Sequence, residues 1–133
     1  MAEAVVLETS ALLDLLAGTA EGEVVRDTLR GRQVHVTDYE EVGVGIALRA
    51  MRECGLLSGI ELDRKIRQLA EAPFSTHRAR ELLVAAAGRS ELQLGDALCV
   101  QLSYQLAAPL LTTDSRLAAA WPRSWLVTAP PVR

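Results

Sequence analysis

Two short apolar runs in this chain end in an acid, and a helical pattern follows each acid. "AVVL" (4–7) meets Glu8 and leads into "SALLDLLAG"; "APLLTTD" (108–114) closes on Asp114 and leads into "SRLAAAW". Uninterrupted aliphatic runs of this length read as strands buried on both faces, the habit of parallel sheets. A parallel sheet needs a crossover after each strand, so the helical stretches between the strands belong to the same plan. Half of the 133 residues are apolar and only 4% are aromatic. Aliphatic side chains in that proportion suit helices packed on a sheet and exclude a disordered chain.

The rest of the chain fits the alternation. "QVHVT" (33–37) is β-branched and reads as a strand. The stretch 38–54 has helical spacing with Asp38 as candidate N-cap, although Gly43 and Gly45 each cost it roughly 1 kcal/mol against alanine. Residues 59–72 form an amphipathic helix that turns Ile60, Leu62, Ile66 and Leu69 inward. "PFSTH" is a weak strand, "RARELLVAAAGRS" (78–90) and "GDALCVQLSYQLA" (95–107) are helical, and "SWLVTA" (124–129) is an edge strand. No repeat or linker interrupts the sequence, so the expectation is one domain over 1–133.

Several classes fall away. No apolar run approaches the ~20 residues that span a bilayer, and "MAEAVV" lacks the basic start of a secretory signal. Cys54 and Cys99 have neither metal nor redox spacing, which points to reduced thiols in a cytoplasmic protein. The net charge of −3 argues against holding nucleic acid by phosphate neutralisation alone.

Ligands of open parallel sheets bind beyond the carboxyl ends of the strands. Glu8 and Asp114 both stand there, and Asp96 opens the helix that feeds the second strand. Gathered carboxylates repel one another unless a cation neutralises them, and oxygen donors with open positions favour Mg²⁺ or Mn²⁺. Each acid also has a bland explanation, since each precedes a helix and could serve as its cap. Thr112 and Thr113 precede Asp114. Ser10 reads as a cap of the first helix, with a hydroxyl at the strand end orienting a ligand carboxylate as the alternative. Asp14 reads as part of a solvated helix face. His35 and His77 have no partner at ligand spacing. Arginines at 64, 67, 78, 80 and 89, with Lys65, form either a basic rim or solvated helix faces. Trp121 and Trp125 read as packing residues.

The residues 92–118, "LQLGDALCVQLSYQLAAPLLTTDSRLA", resemble the C-terminal signature of PIN domains: an Asp-Ala opening a helix, then "APLLT", one residue, and Asp followed by "RLA". "VVLETSALLDLL" resembles their start, where the family carries Asp at the place of Glu8. "HVTDYEEVGVGIALRAMRECGLLS" resembles the strand and long helix of VapC-type toxins. The resemblance implies a three-layer α/β fold with a parallel sheet in the order 3-2-1-4-5, flanked by helices. It implies Mg²⁺- or Mn²⁺-dependent endoribonuclease cleavage of RNA, with Glu8, Asp96 and Asp114 as metal ligands, a homodimer, and a cognate antitoxin as partner. Two departures stand out. Glu8 is one methylene longer than Asp. The family's glutamate in the long helix falls at Gly43 when counted from either side, leaving Glu40, one turn earlier, or Glu41 as substitutes in the catalytic set. A PIN fold without catalysis, acting as a binding module, is therefore the alternative. A phosphoryl-handling α/β domain is a third reading, which lacks the paired aspartates that such nucleophiles need.

Overall fold

The computed structural model describes residues 2–129. In chain order the elements are β1 (Ala4–Leu7), α1 (Thr9–Ala17), α2 (Ala20–Leu29), β2 (Gln33–Thr37), α3 (Asp38–Glu53), α4 (Gly59–Glu71) and β3 (Ser75–His77). A 3₁₀ turn (Ala79–Glu81), α5 (Leu83–Ala87), α6 (Leu94–Leu106), β4 (Leu110–Thr112), α7 (Ser115–Ala120) and β5 (Ser124–Leu126) follow. All strand pairs are parallel and the order is β3-β2-β1-β4-β5, the order that the resemblance implies.

Alternation along the strands divides the core into two. Val5 and Leu7 of β1, with Val34 and Val36 of β2, face Leu12, Val25, Val44, Leu48 and Leu69 from α1 to α4. Val6 and Leu110 face the other way, toward Leu82, Ala86, Leu98, Leu102 and Leu117 from α5 to α7. Strands buried on both faces need apolar side chains at every position, which is why β1 reads as an unbroken run.

Local chemistry places the helix ends. Thr37, rather than Asp38, caps α3, and its hydroxyl accepts from the Glu40 amide while Glu40 accepts from the Thr37 amide. Asp38 instead accepts from the Ala79 amide, tying the start of α3 to the segment after β3. Ser58 and Glu61 form a second reciprocal cap on α4. Gly18 closes α1 with φ of 73°, a conformation costly for residues with a Cβ. Gly22 lets α2 meet α1, since a Cβ there would lie 2.0 Å from the Asp14 carbonyl oxygen.

Other expectations change. The helix expected over 78–90 divides into the 3₁₀ turn and the short α5, which together bury Leu82 and Ala86 and leave Val84 exposed. Ile60 points to solvent and Ile66 is only partly covered, whereas Leu69 is buried. The α4 contact with the core is narrower than the apolar stripe. His35 and His77 do meet: the register of β2 with β3 brings His35 Nδ1 within 2.8 Å of His77 Nε2. Three of the basic side chains read as a rim or as solvated helix faces have partners within the protein. Arg67 pairs with Asp63, Lys65 donates to the Leu16 carbonyl, and Arg89 lies over the rings of Tyr104 and Trp121. Trp121 packs in the core on the α5–α7 side and donates to Ser103 Oγ, while Trp125 packs against the opposite core.

Candidate active site

β1 and β4 are neighbours, so Glu8 and Asp114 emerge side by side at the carboxyl edge of the sheet. Glu8 is buried at 3% exposure and is the N-cap of α1. Both of its carboxylate oxygens accept from the Ser10 amide, at 2.9 and 3.0 Å. Oε2 also accepts from the Ser10 hydroxyl at 2.6 Å and the Thr112 hydroxyl at 3.0 Å. Ser10 therefore lies inside α1 and orients the acid; it is not the cap. Burial raises the Glu8 carboxyl above its usual range, and the Ser10 and Thr112 hydrogen bonds hold it back, with Asp96 adding a smaller push upward.

Asp114 caps α7: its Oδ1 accepts from the Arg116 and Leu117 amides. Asp96 behaves differently. Gln93 is the N-cap of α6, and Asp96 sits within the first turn with no capping duty. Its side chain is three-quarters covered, and burial raises its carboxyl, with the Asp114 charge adding to the rise and Arg116 opposing it. The Arg116 guanidinium stands between the two acids. Its terminal nitrogen is 3.7 Å from Asp96 Oδ2 and 3.4 Å from Asp114 Oδ2. Asp96 and Arg116 line a small cleft with Glu91 and Gln93.

Glu40 is fully buried. Its Oε1 is taken by the Thr37 amide, and Oε2 has no hydrogen-bond partner. Burial pushes its carboxyl up to about 8, against the lowering by the Thr37 hydrogen bonds and the Cys99 thiol, so it is mostly protonated at neutral pH. Cys99 lies one turn after Asp96, also buried, and its thiol is pushed well above its normal range by burial and by the field of Glu40, Glu8 and Asp96. The four acids of the expected catalytic set thus form one electrostatically coupled group. Glu41 instead lines the groove between α3 and α4. Gly43 has open space where its Cβ would stand.

The residues suit a hard divalent cation in kind. All the candidate donors are carboxylate oxygens, and Asp96 and Asp114 already share one positive charge. Their assembly is incomplete: among the described residues no three His, Cys, Asp or Glu side chains are grouped closely enough to hold a metal ion together. Glu8 is turned toward Ser10 and Thr112, and Glu40 is enclosed.

Sequence reasoning missed two participants, Arg116 and Asp14. Thr112 takes the orienting role that a strand-end hydroxyl offered, on Glu8, and Arg116 bridges two acids although it sits in the quoted "DSRLA". Asp14 is partly buried and accepts from the hydroxyls of Thr19 and Thr113, so it is no solvated face. Arg116 had a signal in its spacing of two from Asp114; the roles of Thr112 and Asp14 depend on contacts about a hundred residues apart.

A parallel sheet in this order, with acids at the ends of β1 and β4 and a third at the start of α6, defines a class. The PIN domain model matches residues 5–120, and the chain belongs to the PIN domain family. Within that family it is similar to Ribonuclease VapC3 of Mycobacterium tuberculosis (strain ATCC 25618 / H37Rv), at 38% identity covering 90% of this chain and 89% of the relative. Ribonuclease VapC12 of the same strain is 34% identical, over 86% and 89% of the two chains. Among solved structures, the fold is shared with PAE2754 from Pyrobaculum aerophilum, with a TM-score of 0.72, 19% identity, and coverage of 96% of this chain and 91% of that one. It is also shared with a toxin-antitoxin complex from Klebsiella pneumoniae, with a TM-score of 0.67, 18% identity, and coverage of 96% and 99%.

Proposed function

We propose that this protein is a VapC-type toxin, an endoribonuclease that depends on Mg²⁺ or Mn²⁺ and is restrained by a cognate antitoxin in the cytoplasm. Its relatives bear the name ribonuclease over nearly the whole chain. The observation that carries the reading is Asp96. Capping accounts for Glu8 and Asp114, but Asp96 is a three-quarters covered carboxylate without a capping role, placed beside Asp114 around a single cation. A carboxylate brought out of water next to another acid is costly and calls for a cation.

Asp96 and Asp114 are the proposed principal ligands, with Glu8 completing the set. A bound divalent cation would supply a more acidic water and offset phosphate charge. Ser10 and Thr112 fix the direction of Glu8. Glu40 stands behind it as a neutral carboxyl at neutral pH and lowers the charge packed into this end of the sheet. The exposed apolar side chains Val42 and Ile46 on α3 and Ile60 on α4 leave surface that a protein partner would cover, either the antitoxin or a second copy in a homodimer.

The non-catalytic binding module is favoured by other observations: the saturated Glu8, the enclosed Glu40, and the absence of an acid at Gly43. Mn²⁺ titration by calorimetry with Asp96→Asn as control, followed by RNA cleavage with and without EDTA, separates the two. Binding that requires Asp96, and cleavage that is lost with EDTA and restored by Mn²⁺ more readily than by Mg²⁺, support the enzyme. Mg²⁺ is the stricter test because it demands near-ideal octahedral geometry. No binding at millimolar Mn²⁺ and no cleavage would leave the binding module. Light scattering of the purified protein tests the dimer, and pull-down with the product of a neighbouring reading frame tests the antitoxin.

A further inference from the structure

We infer that Arg116 is a phosphate-positioning residue that rests between Asp96 and Asp114 and is released to the substrate when a divalent cation takes its place. The inference deepens the ribonuclease reading and rests on it. Three features of the structure lead here. First, one guanidinium nitrogen serves Oδ2 of both acids, 3.7 Å from Asp96 and 3.4 Å from Asp114. Oδ1 of Asp114 is occupied by the Arg116 and Leu117 amides. Arg116 thus covers Oδ2 of both acids, carboxylate oxygens that would otherwise be open to a divalent cation. Second, the Arg116 backbone is held by Asp114 while its side chain is 71% exposed. The arm can swing without disturbing the fold. Third, Arg116 holds its charge directly on the acids, whereas Arg67, Arg89 and Lys65 are engaged away from them, on Asp63, on two aromatic rings and on the Leu16 carbonyl.

The chemistry gives the two positions of the arm different uses. A guanidinium does not deprotonate in a protein, so the arm carries its full charge in either position. Ion pairs this exposed contribute little, and a divalent cation competes with them easily. Once displaced, the guanidinium is repelled by that cation and stands at the edge of the same cleft. Its fork of donors matches two phosphate oxygens, and a phosphodiester brought to Asp96 and Asp114 supplies them. The chain would carry its own counter-ion for the empty site and use it on RNA in the loaded one.

The test needs no activity for its first arm. Mn²⁺ binding to wild type, Arg116→Ala and Arg116→Lys is measured by calorimetry without RNA. Removing a competing cation tightens Mn²⁺ binding, and exposed pairs of this kind set the gain at roughly two- to fivefold for Arg116→Ala. A residue serving merely to brace α7 would leave metal affinity unchanged or weaken it. The second arm is cleavage of a single-stranded RNA at saturating Mn²⁺. Arg116→Ala is expected to raise KM several-fold more than it lowers kcat, and Arg116→Lys to restore part of the loss. Equal or weaker Mn²⁺ binding in Arg116→Ala, or an unchanged KM, overturns the inference. Cleavage absent in the wild type while Mn²⁺ binding still tightens in Arg116→Ala overturns the ribonuclease reading and the phosphate role, and leaves the competition for the acids established.

Discussion

The hydroxyl of Thr112, the last residue of β4, donates to Glu8 Oε2 at 3.0 Å across the gap between adjacent parallel strands. Thr112 also accepts from the Asp114 amide at 3.0 Å, so one side chain sets both acids at the strand ends. Thr112→Val keeps the shape and removes both bonds in a fully buried place. The expected loss is about 1–3 kcal/mol in chemical denaturation, with a larger fall in RNA cleavage than stability explains. An unchanged unfolding midpoint would contradict this role.

Asp96 and Asp114 are expected to part company under mutation. Asp96→Asn removes an acid with no capping duty, so stability stays within about 1 kcal/mol while Mn²⁺ binding and cleavage disappear. Asp114→Ala loses a cap and is expected to destabilise by ~1 kcal/mol as well as inactivate. Asp114→Asn retains the cap and isolates the chemical loss. Thermal melts beside calorimetry decide the comparison.

Glu40 makes stability depend on pH. Its folded carboxyl is raised from 4.5 to about 8, so between those values the folded state binds more protons than the unfolded one. Its contribution is therefore fully present below about 4.5 and is lost as pH rises through about 8, each pKa unit corresponding to ~1.4 kcal/mol. Glu40→Gln keeps the acceptor for the Thr37 amide and removes the titration. Urea unfolding from pH 5 to 9 should show a slope in the wild type that flattens in the variant. Parallel curves would mean that Glu40 is charged throughout.

Gly43→Glu tests the missing acid of the long helix. Open space receives the new Cβ, and replacing a helix-interior glycine is worth up to about 1 kcal/mol. The substitution is expected to stabilise the protein and to tighten Mn²⁺ binding, with the two effects measured separately. A more stable variant with unaltered metal affinity would show that position 43 lies outside the site.

The element order outside 78–90, the strands that lead into Glu8 and Asp114, and the parallel sheet were legible in the sequence. Each depends on a local pattern: unbroken aliphatic runs at β1 and β4, β-branched residues at β2, and helical spacing between them. The placement of Glu8 and Asp114 at one edge followed once the resemblance supplied the strand order. The duty of each acid was not legible. All three preceded helices, and one-dimensional spacing cannot tell a capping carboxylate from a free one. The tertiary structure assigned Glu8 to Ser10 and Thr112, Asp114 to the α7 amides and Arg116, and Asp96 to no cap. It also enclosed Glu40, turned Ile60 outward, and joined His35 to His77. The physical reason is shared by all of these. Periodicity reports which face of an element is apolar, whereas hydrogen-bond partners and desolvation are set by side chains from distant segments, such as the 104-residue separation between Glu8 and Thr112.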